Sequence, residues 1–457
     1  MNNAIETLKK VLKNSDDRRL LFNIAGNYFV KGGAMLVSLL MMPAYMHYFQ
    51  SNTVLGMWFT VVQLLNWIML LDFGVGGGLR NKIIEPLKHA NKNRVISLIS
   101  AAYISVFAVV LMLIIFQYVL VGLVDWYKLL GVSSFDIQAD TLKYMVHILI
   151  IGVSIRFFCV LISHILYALQ KAFLPGLLNL ASSFLIMIYL VFAEPKGDDT
   201  DIIALSYVNI IADNLPAIVA TFWVFSSSLK GMGPRLSAFR WSVAKEVLST
   251  GGLLFYLQIV LMLLFNVKEI YISWFIGAKE VVEYQIYYKL IGIFGGLYSL
   301  ALTPMWSAIT KAVVEQKYRW IERLYHRGLL TIIGFSGIQL LVLLFMPWIV
   351  KIWLGEKAIE ISFGDGLIFC VYNVIYMCLA LNYNFACGME QTKGIAFWLT
   401  VAAVLNYFLT MWGCLFYSDW ITVIAATGLA TIPCLFFTQR NIFYVVRSMS
   451  KREKRIL

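Results

Sequence analysis

Lys31 stands in the middle of a long apolar stretch, with Asn23 and Asn27 before it and Ala34 and Ser38 after it. Positions 23, 27, 31, 34 and 38 recur every three or four residues and so follow one face of a helix. A polar face of that length needs protein or water beside it. Lys31 lies roughly 13 Å from the nearer end of its stretch, which makes snorkelling to the surface awkward, and it is expected to line a cavity. Arg156 and Asp213 are also central in apolar stretches, where they face a pathway or pair with each other. Lys268 and Glu269 fall toward the outer end of another stretch, and Lys289 inside the outer end of the next. Gln258, Met262, Asn266, Glu269 and Ser273 share a helical face, and Asn373, Tyr376, Ala380 and Asn384 form a milder polar stripe. The candidate substrate contacts are therefore Lys31, Arg80, Arg156, Lys268 and Lys289, joined by Asn27 and Asn373. Such cations in a low-dielectric, water-filled cavity attract an anion such as a pyrophosphate. The carboxylates Asp72, Asp213, Glu269 and Asp365 are candidates for carrying a coupling proton or sodium ion.

Catalytic chemistry finds little support. The histidines His47, His89, His147, His164 and His326 are scattered without ligand spacing, and there is no phosphate-binding Walker loop. Asp199-Thr200-Asp201 looks like the acidic pair of metal-dependent sugar transferases, but it falls in an extracytoplasmic loop and reads as a solvated turn. The six cysteines lie in or beside apolar stretches with no CxxC spacing, and read as packing residues. No metal, cofactor or catalytic residue is expected, so the chain is not read as an enzyme.

The elements that must position these residues are membrane spans. The chain is 60% hydrophobic and only 14% charged, whereas soluble domains average roughly 45–50% apolar and about 25% charged residues. Stretches long enough for a transmembrane helix fall near 22–44, 55–75, 97–121, 144–166, 173–193 and 202–224. Six more fall near 249–275, 283–306, 329–350, 365–387, 396–417 and 421–440. With the N-terminus inside, most of the 37 Lys and Arg lie on the cytoplasmic side, which is the positive-inside bias. Both termini are expected to be cytoplasmic. The net charge of +12 is thus assigned to membrane-surface anchoring, including Lys9-Lys10 and the run 451–455, and not to nucleic acid.

Organisation follows from the same pattern. Residues 1–21 form a cytoplasmic segment whose positions 3–13 read as an amphipathic interfacial helix, broken near Asn14–Asp17. Residues 1–20 lack the apolar core and cleavage site of a signal peptide, so the first span is expected to act as the targeting signal. An N-lobe is expected over 22–225, a basic cytoplasmic linker over 226–248, a C-lobe over 249–440 and a basic tail over 441–457. Aligning Gly26 with Gly252 places Phe49 on Phe275 and 55–65 on 281–291, a weak internal repeat of the kind found in secondary transporters. Loops are short, and the longest extracytoplasmic one, around 125–143, cannot fold as a domain. Pro43, Pro175, Pro216, Pro304, Pro347 and Pro433 lie inside or at the ends of spans and are candidate bending points. The fold class is all-α, a polytopic membrane protein of about twelve transmembrane helices in two six-helix lobes around a central cavity.

The segment Leu71-Asp72-Phe73-Gly74-Val75-Gly76-Gly77-Gly78-Leu79-Arg80-Asn81-Lys82 resembles the one after the second helix in O-antigen and polysaccharide repeat-unit flippases. These belong to the multidrug/oligosaccharidyl-lipid/polysaccharide exporter superfamily. Phe275-Ile276-Gly277-Ala278, Val282-Glu283-Tyr284, Tyr288-Lys289-Leu290, Pro304-Met305-Trp306-Ser307-Ala308 and Trp320 extend the resemblance across nearly the whole chain. It implies a V-shaped bundle alternating between inward-open and outward-open states. The implied cargo is an undecaprenyl-pyrophosphate-linked oligosaccharide, moved between leaflets of a bacterial inner membrane. A polymerase or ligase of the same pathway and the phospholipid bilayer are the implied partners of a monomer. Lys31 and Arg156 fit the family's cationic cavity, but no acidic cluster resembles a clear sodium site. A multidrug exporter of the same superfamily is the alternative, disfavoured by the excess of buried cations. A membrane glycan polymerase or ligase would need a large extracytoplasmic loop.

Overall fold

A computed structural model describes residues 15–70, 75–171, 173–248, 252–389 and 391–456. They are helical almost throughout, with no strand among them. In chain order the first helices are α1 (Ser15–Tyr48), α2 (Asn52–Leu70), α3 (Val75–Lys88), α4 (Lys92–Leu123) and α5 (Trp126–Leu130). There follow α6 (Ala139–Cys159), α7 (Leu161–Ala168), α8 (Phe173–Phe192), α9 (Asp198–Ser226) and α10 (Trp241–Leu248). Then come α11 (Gly252–Phe265), α12 (Lys268–Phe275), α13 (Ala278–Tyr287) and α14 (Ile293–Val314). The last are α15 (Tyr318–Leu354), α16 (Phe363–Gly388), α17 (Thr392–Phe416) and α18 (Trp420–Ile456).

In hydrocarbon no water satisfies a backbone amide, so an apolar chain must close its hydrogen bonds within the helix. Among the described residues nine helices are long and apolar enough to cross a bilayer, or ten if the bent pair α11–α12 is one span. Helix also occupies the second expected span, as α2, and the eighth, as α13 and α14 joined through a π-helical turn at Tyr288–Gly292. Large apolar side chains stay exposed along these helices, Phe29 at 79% and Ile352 at 85% among them. A surface of that kind is stable against lipid and not against water.

Three features differ from the sequence reading or fall outside it. The amphipathic helix expected over 3–13 lies outside the described residues. The break expected around Asn14–Asp17 is not a break from Ser15 onward, because α1 already runs from there; Ser and Asp are residue types that start helices. The seventh span, expected as one helix, is two: α11 and α12 meet at 42° across Asn266 and Val267.

The chain forms two compact units. Unit 1 comprises Met1–Gln50, Ile68–Trp126 and Ile137–Phe255. Its core gathers Leu79 and Ile83 of α3, Ile99 and Ala102 of α4, Ile162 and Leu166 of α7, and Val243, Ala244 and Val247 of α10. The basic 226–248 stretch is therefore docked within this unit. Gly78 admits the Val247 carbonyl, and Gly76 admits the imidazole of His164, at approaches that a Cβ would block. That is the use of the glycine run 74–78, whose described part is helical. Glu246 is held by Arg94 at 2.5 Å and Lys82 at 3.4 Å.

Unit 2 comprises Ser51–Trp67, Tyr127–Asp136 and Tyr256–Leu457. Most of α2 thus packs with the later helices. Gly56 lies against the Ala278 carbonyl, again closer than a Cβ would allow. The 127–136 stretch docks on the α12–α13 turn. Gly131, at φ +62, faces the Ser273 carbonyl, Ser273 Oγ donates to the Leu130 carbonyl at 2.5 Å, and Ala278 N donates to the Gly131 carbonyl at 3.2 Å.

Candidate functional site

In unit 1, α6 carries Arg156 against α8 and α9. Its guanidinium donates to Asn179 Oδ1 of α8 at 2.8 Å and lies 3.7 Å from Asp213 Oδ1 of α9. It also donates to the backbone carbonyl of Asp213. Pro216 has no amide to return to the carbonyl four residues earlier, so the α9 ladder is weakest in this turn. Arg156 is 18% exposed and Asp213 38%. The pair is neither sealed in the core nor fully solvated. The pairing of Arg156 with Asp213 that the sequence left open is present. Asn179 escaped sequence reading because a lone amide in an apolar helix has no spacing that ties it to position 156.

Lys31 is exposed on α1. The helix packs on α8 through Gly26 against Phe173, Val30 against Gly176 and Gly33 against Leu180. Phe29, Leu36 and Leu40 form its exposed apolar face. At 3.6 residues per turn the stripe of Lys31, Ala34 and Ser38 lies roughly 170° around the helix from that apolar face. Lys31 is thus on the side turned away from the lipid-type surface. Asn27 shares its register, but its side chain is outside the described residues. Asp72 also lies outside them. Arg80 is exposed on α3, with its guanidinium 5.0 Å from the centre of the Tyr167 ring.

In unit 2 the break between α11 and α12 collects three of the expected residues, Lys268, Glu269 and Asn373. Lys268 is buried, donates its ammonium to the Phe265 carbonyl at the end of α11, and stands 5.0 Å over the Tyr372 ring. A cation at a helix C-terminus meets unsatisfied carbonyls and the negative end of the dipole. The Asn266 carbonyl takes Gln63 Nε2 at 2.9 Å and Trp67 Nε1 at 2.8 Å, both from α2. Glu269, one residue on, is buried and accepts from Gln285 Nε2 at 3.1 Å. Lys289 lies in the π-helical turn. Asn373 is buried and gives its amide to the Ile291 carbonyl and to Gln339 Oε1, each at 3.0 Å. Two adjoining cavities of about 90 and 230 Å³ share Phe265, Asn266 and Tyr376, and the smaller also meets Lys268 and Asn373. Asp365 stands apart, in the first turn of α16, where its amide binds the capping Ser362 Oγ at 3.3 Å.

The structure therefore gathers Arg156 and Asp213 in unit 1, and Lys268, Glu269 and Asn373 in unit 2. Asn179, Gln285, Tyr372, Gln63 and Trp67 complete these groups and were not among the expected site residues. Gln285 showed only as part of the internal repeat.

These features define a polytopic helical membrane protein with a broken span and polar, charged groups inside the bundle. No family model matches the chain. Over 354 residues it is 22% identical to a protein of Yersinia pseudotuberculosis described as an O-antigen export protein, covering 75% of this chain and 77% of that one. In fold the chain is similar to a multidrug resistance MATE family transporter of the MOP superfamily, solved in an inward-facing conformation, at a TM-score of 0.69 and 13% identity over 92% of this chain and 95% of that one. It is also similar to the lipid II flippase MurJ in an inward closed conformation, at a TM-score of 0.68 and 15% identity over 92% of this chain and 87% of that one. The O-antigen flippase resemblance read from the sequence agrees with these relatives.

Proposed function

We propose that this protein is a flippase that moves undecaprenyl-pyrophosphate-linked oligosaccharide repeat units across the bacterial inner membrane by alternating access. The observation that carries the proposal is similarity to an O-antigen export protein over three quarters of the chain, joined to a transporter fold. A pyrophosphate cargo is favoured by the sign of the groups inside the bundle. Lys31 is exposed opposite a lipid-type face, and Lys268 is buried at a helix break with its neighbour Glu269 bound to a neutral amide. The same fold serves multidrug exporters, and the cations are the reason to prefer an anionic cargo.

Both termini are cytoplasmic in this proposal, following the positive-inside bias. The moving bodies in this proposal are the two compact units, which depart from lobes over 22–225 and 249–440 in that Ser51–Trp67 and Tyr127–Asp136 belong with the later helices and the 226–248 stretch with the earlier ones. Asp213 and Glu269 are the proposed coupling groups for a proton or sodium gradient. The protein works beside the polymerase or ligase of its pathway without itself making or breaking a glycan bond. The test is genetic and biochemical together. Deleting the gene should abolish the surface polysaccharide and leave undecaprenyl-pyrophosphate-linked repeat units on the cytoplasmic leaflet. Normal surface glycan in a clean deletion, with no second flippase to account for it, contradicts the proposal.

A further inference from the structure

One cavity of unit 2 shares no lining residue with the cavity that meets Lys268 and Asn373. It has a volume of about 790 Å³ and opens among the end of α16, the start of α17 and the 437–448 stretch of α18. Small-molecule and lipid sites run to roughly 300–1,000 Å³. Trp398 and Phe437 form part of its wall, stacked at 4.0 Å with planes 9° apart. Arg440, Asn441 and Arg447 line it too, and Arg447 stands 6.0 Å over the Phe443 ring. Among the described residues no acidic side chain lines it. Among the described residues neither arginine meets a carboxylate.

Arg440 and Arg447 are seven residues apart, two turns of α18, and so share one face about 10 Å apart along the axis. They fall where the apolar span gives way to the basic tail. Phe436 and Tyr444, both exposed, mark the same level as a membrane–water boundary. The cavity thus joins a flat aromatic wall on the apolar side to two guanidinium groups that meet no carboxylate among the described residues on the wet side. That is the chemistry of a phosphodiester attached to acyl chains. Guanidinium binds phosphate oxygens two at a time, and basic pockets between transmembrane helices take anionic headgroups.

We propose that this cavity is a binding site for an anionic phospholipid of the surrounding leaflet, held by Arg440 and Arg447 at its phosphate and by Trp398 and Phe437 along its chain. The lipid ties α16, α17 and α18 together at one end of unit 2. The site does not depend on what the protein transports, and binding is read without any transport assay.

The test is lipid retention on the purified full chain, measured by native mass spectrometry. Phosphatidylglycerol and phosphatidylcholine with the same acyl chains are the probes. Phosphatidylglycerol is retained preferentially, and Arg440→Gln with Arg447→Gln weakens its binding roughly thirtyfold. Arg440→Lys with Arg447→Lys keeps most of the binding. Lys451→Gln with Lys454→Gln, in the nearby tail, leaves it unchanged. Each variant is first checked for an unaltered elution profile, and the lysine pair covers the case in which the glutamine pair fails to fold. Equal retention of the two lipids overturns the proposal, as does an equal loss in the tail variant, which means diffuse surface charge. Displacement by inorganic phosphate alone would mean a site for free anions. Displacement by undecaprenyl pyrophosphate at lower concentration than phosphatidylglycerol would mean a cargo site. Either result also overturns it.

Discussion

Arg156 is held by three oxygens from two helices, and this explains how a guanidinium is kept so far inside an apolar bundle. Asp213 supplies a carboxylate and a carbonyl, and Asn179 an amide oxygen. Removing the cation leaves a half-buried carboxylate without its partner, so Arg156→Ala should destabilise by about 1–2 kcal/mol, less than for a fully buried pair. Asp213→Asn keeps the carbonyl contact and should cost less. Thermal unfolding of the two variants in detergent checks the order; a larger loss for Asp213→Asn contradicts it. Transport should separate from stability here. Lys31→Ala, which breaks no described bond, should reduce export several-fold at normal protein levels, and Lys31→Arg should retain part of it. Full export by Lys31→Ala removes that residue from the pathway. Lys31 and Arg156 were legible in the sequence because a charge in an apolar run is conspicuous. Asn179 and Gln285 were not, because an amide is tolerated in membrane helices and only a tertiary partner gives it a task.

Helices show where sequence periodicity stops being informative. The twelve stretches were visible as apolar runs, yet the 42° bend in the seventh falls at Asn266–Val267, with no proline or glycine to announce it. Its carbonyl is satisfied by Gln63 and Trp67 of α2, residues some 200 positions earlier, and no local pattern encodes such a contact. Gly56 is equally silent in sequence, although α2 can approach α13 only because position 56 lacks a Cβ. Gly56→Ala should cost about 1–3 kcal/mol by overpacking, read as a lowered Tm; an unchanged Tm refutes the close approach. The docked 226–248 stretch offers a pH test outside the membrane. The Arg94 hydrogen bond, helped by Lys82, holds the Glu246 carboxyl below its usual value of 4.5. A folded-state value below the unfolded one contributes stability above the unfolded pKa and loses it as pH falls through the folded pKa. The Tm difference between the natural protein and Glu246→Gln should therefore be largest near neutral pH and vanish in acid. High salt should shrink it at every pH, because the carboxylate is partly exposed. A difference that grows in acid contradicts the clamp.

At the level of the whole molecule, composition alone excluded a soluble protein, and motif resemblance reached the transporter fold that the solved structures share. The assignment of α2 to unit 2 was not readable, since chain order is a poor guide to packing when helices are apolar all round. Orientation follows from charge: a reporter fused to the C-terminus should read as cytoplasmic and one inserted in loop 125–143 as periplasmic, and a periplasmic C-terminus contradicts the topology. The claim that the protein moves a lipid-linked glycan is tested most directly in proteoliposomes. Purified protein is reconstituted with undecaprenyl-pyrophosphate-linked repeat units on one leaflet, and the glycan reaching the other leaflet is measured with and without an imposed proton or sodium gradient. The expected result is protein-dependent transfer that a gradient accelerates. Asp213→Asn with Glu269→Gln should lose that acceleration while remaining folded; a full gradient response in this double variant removes both carboxylates from coupling. Absence of any protein-dependent transfer, under conditions where an established flippase moves the same lipid, contradicts the proposed function itself.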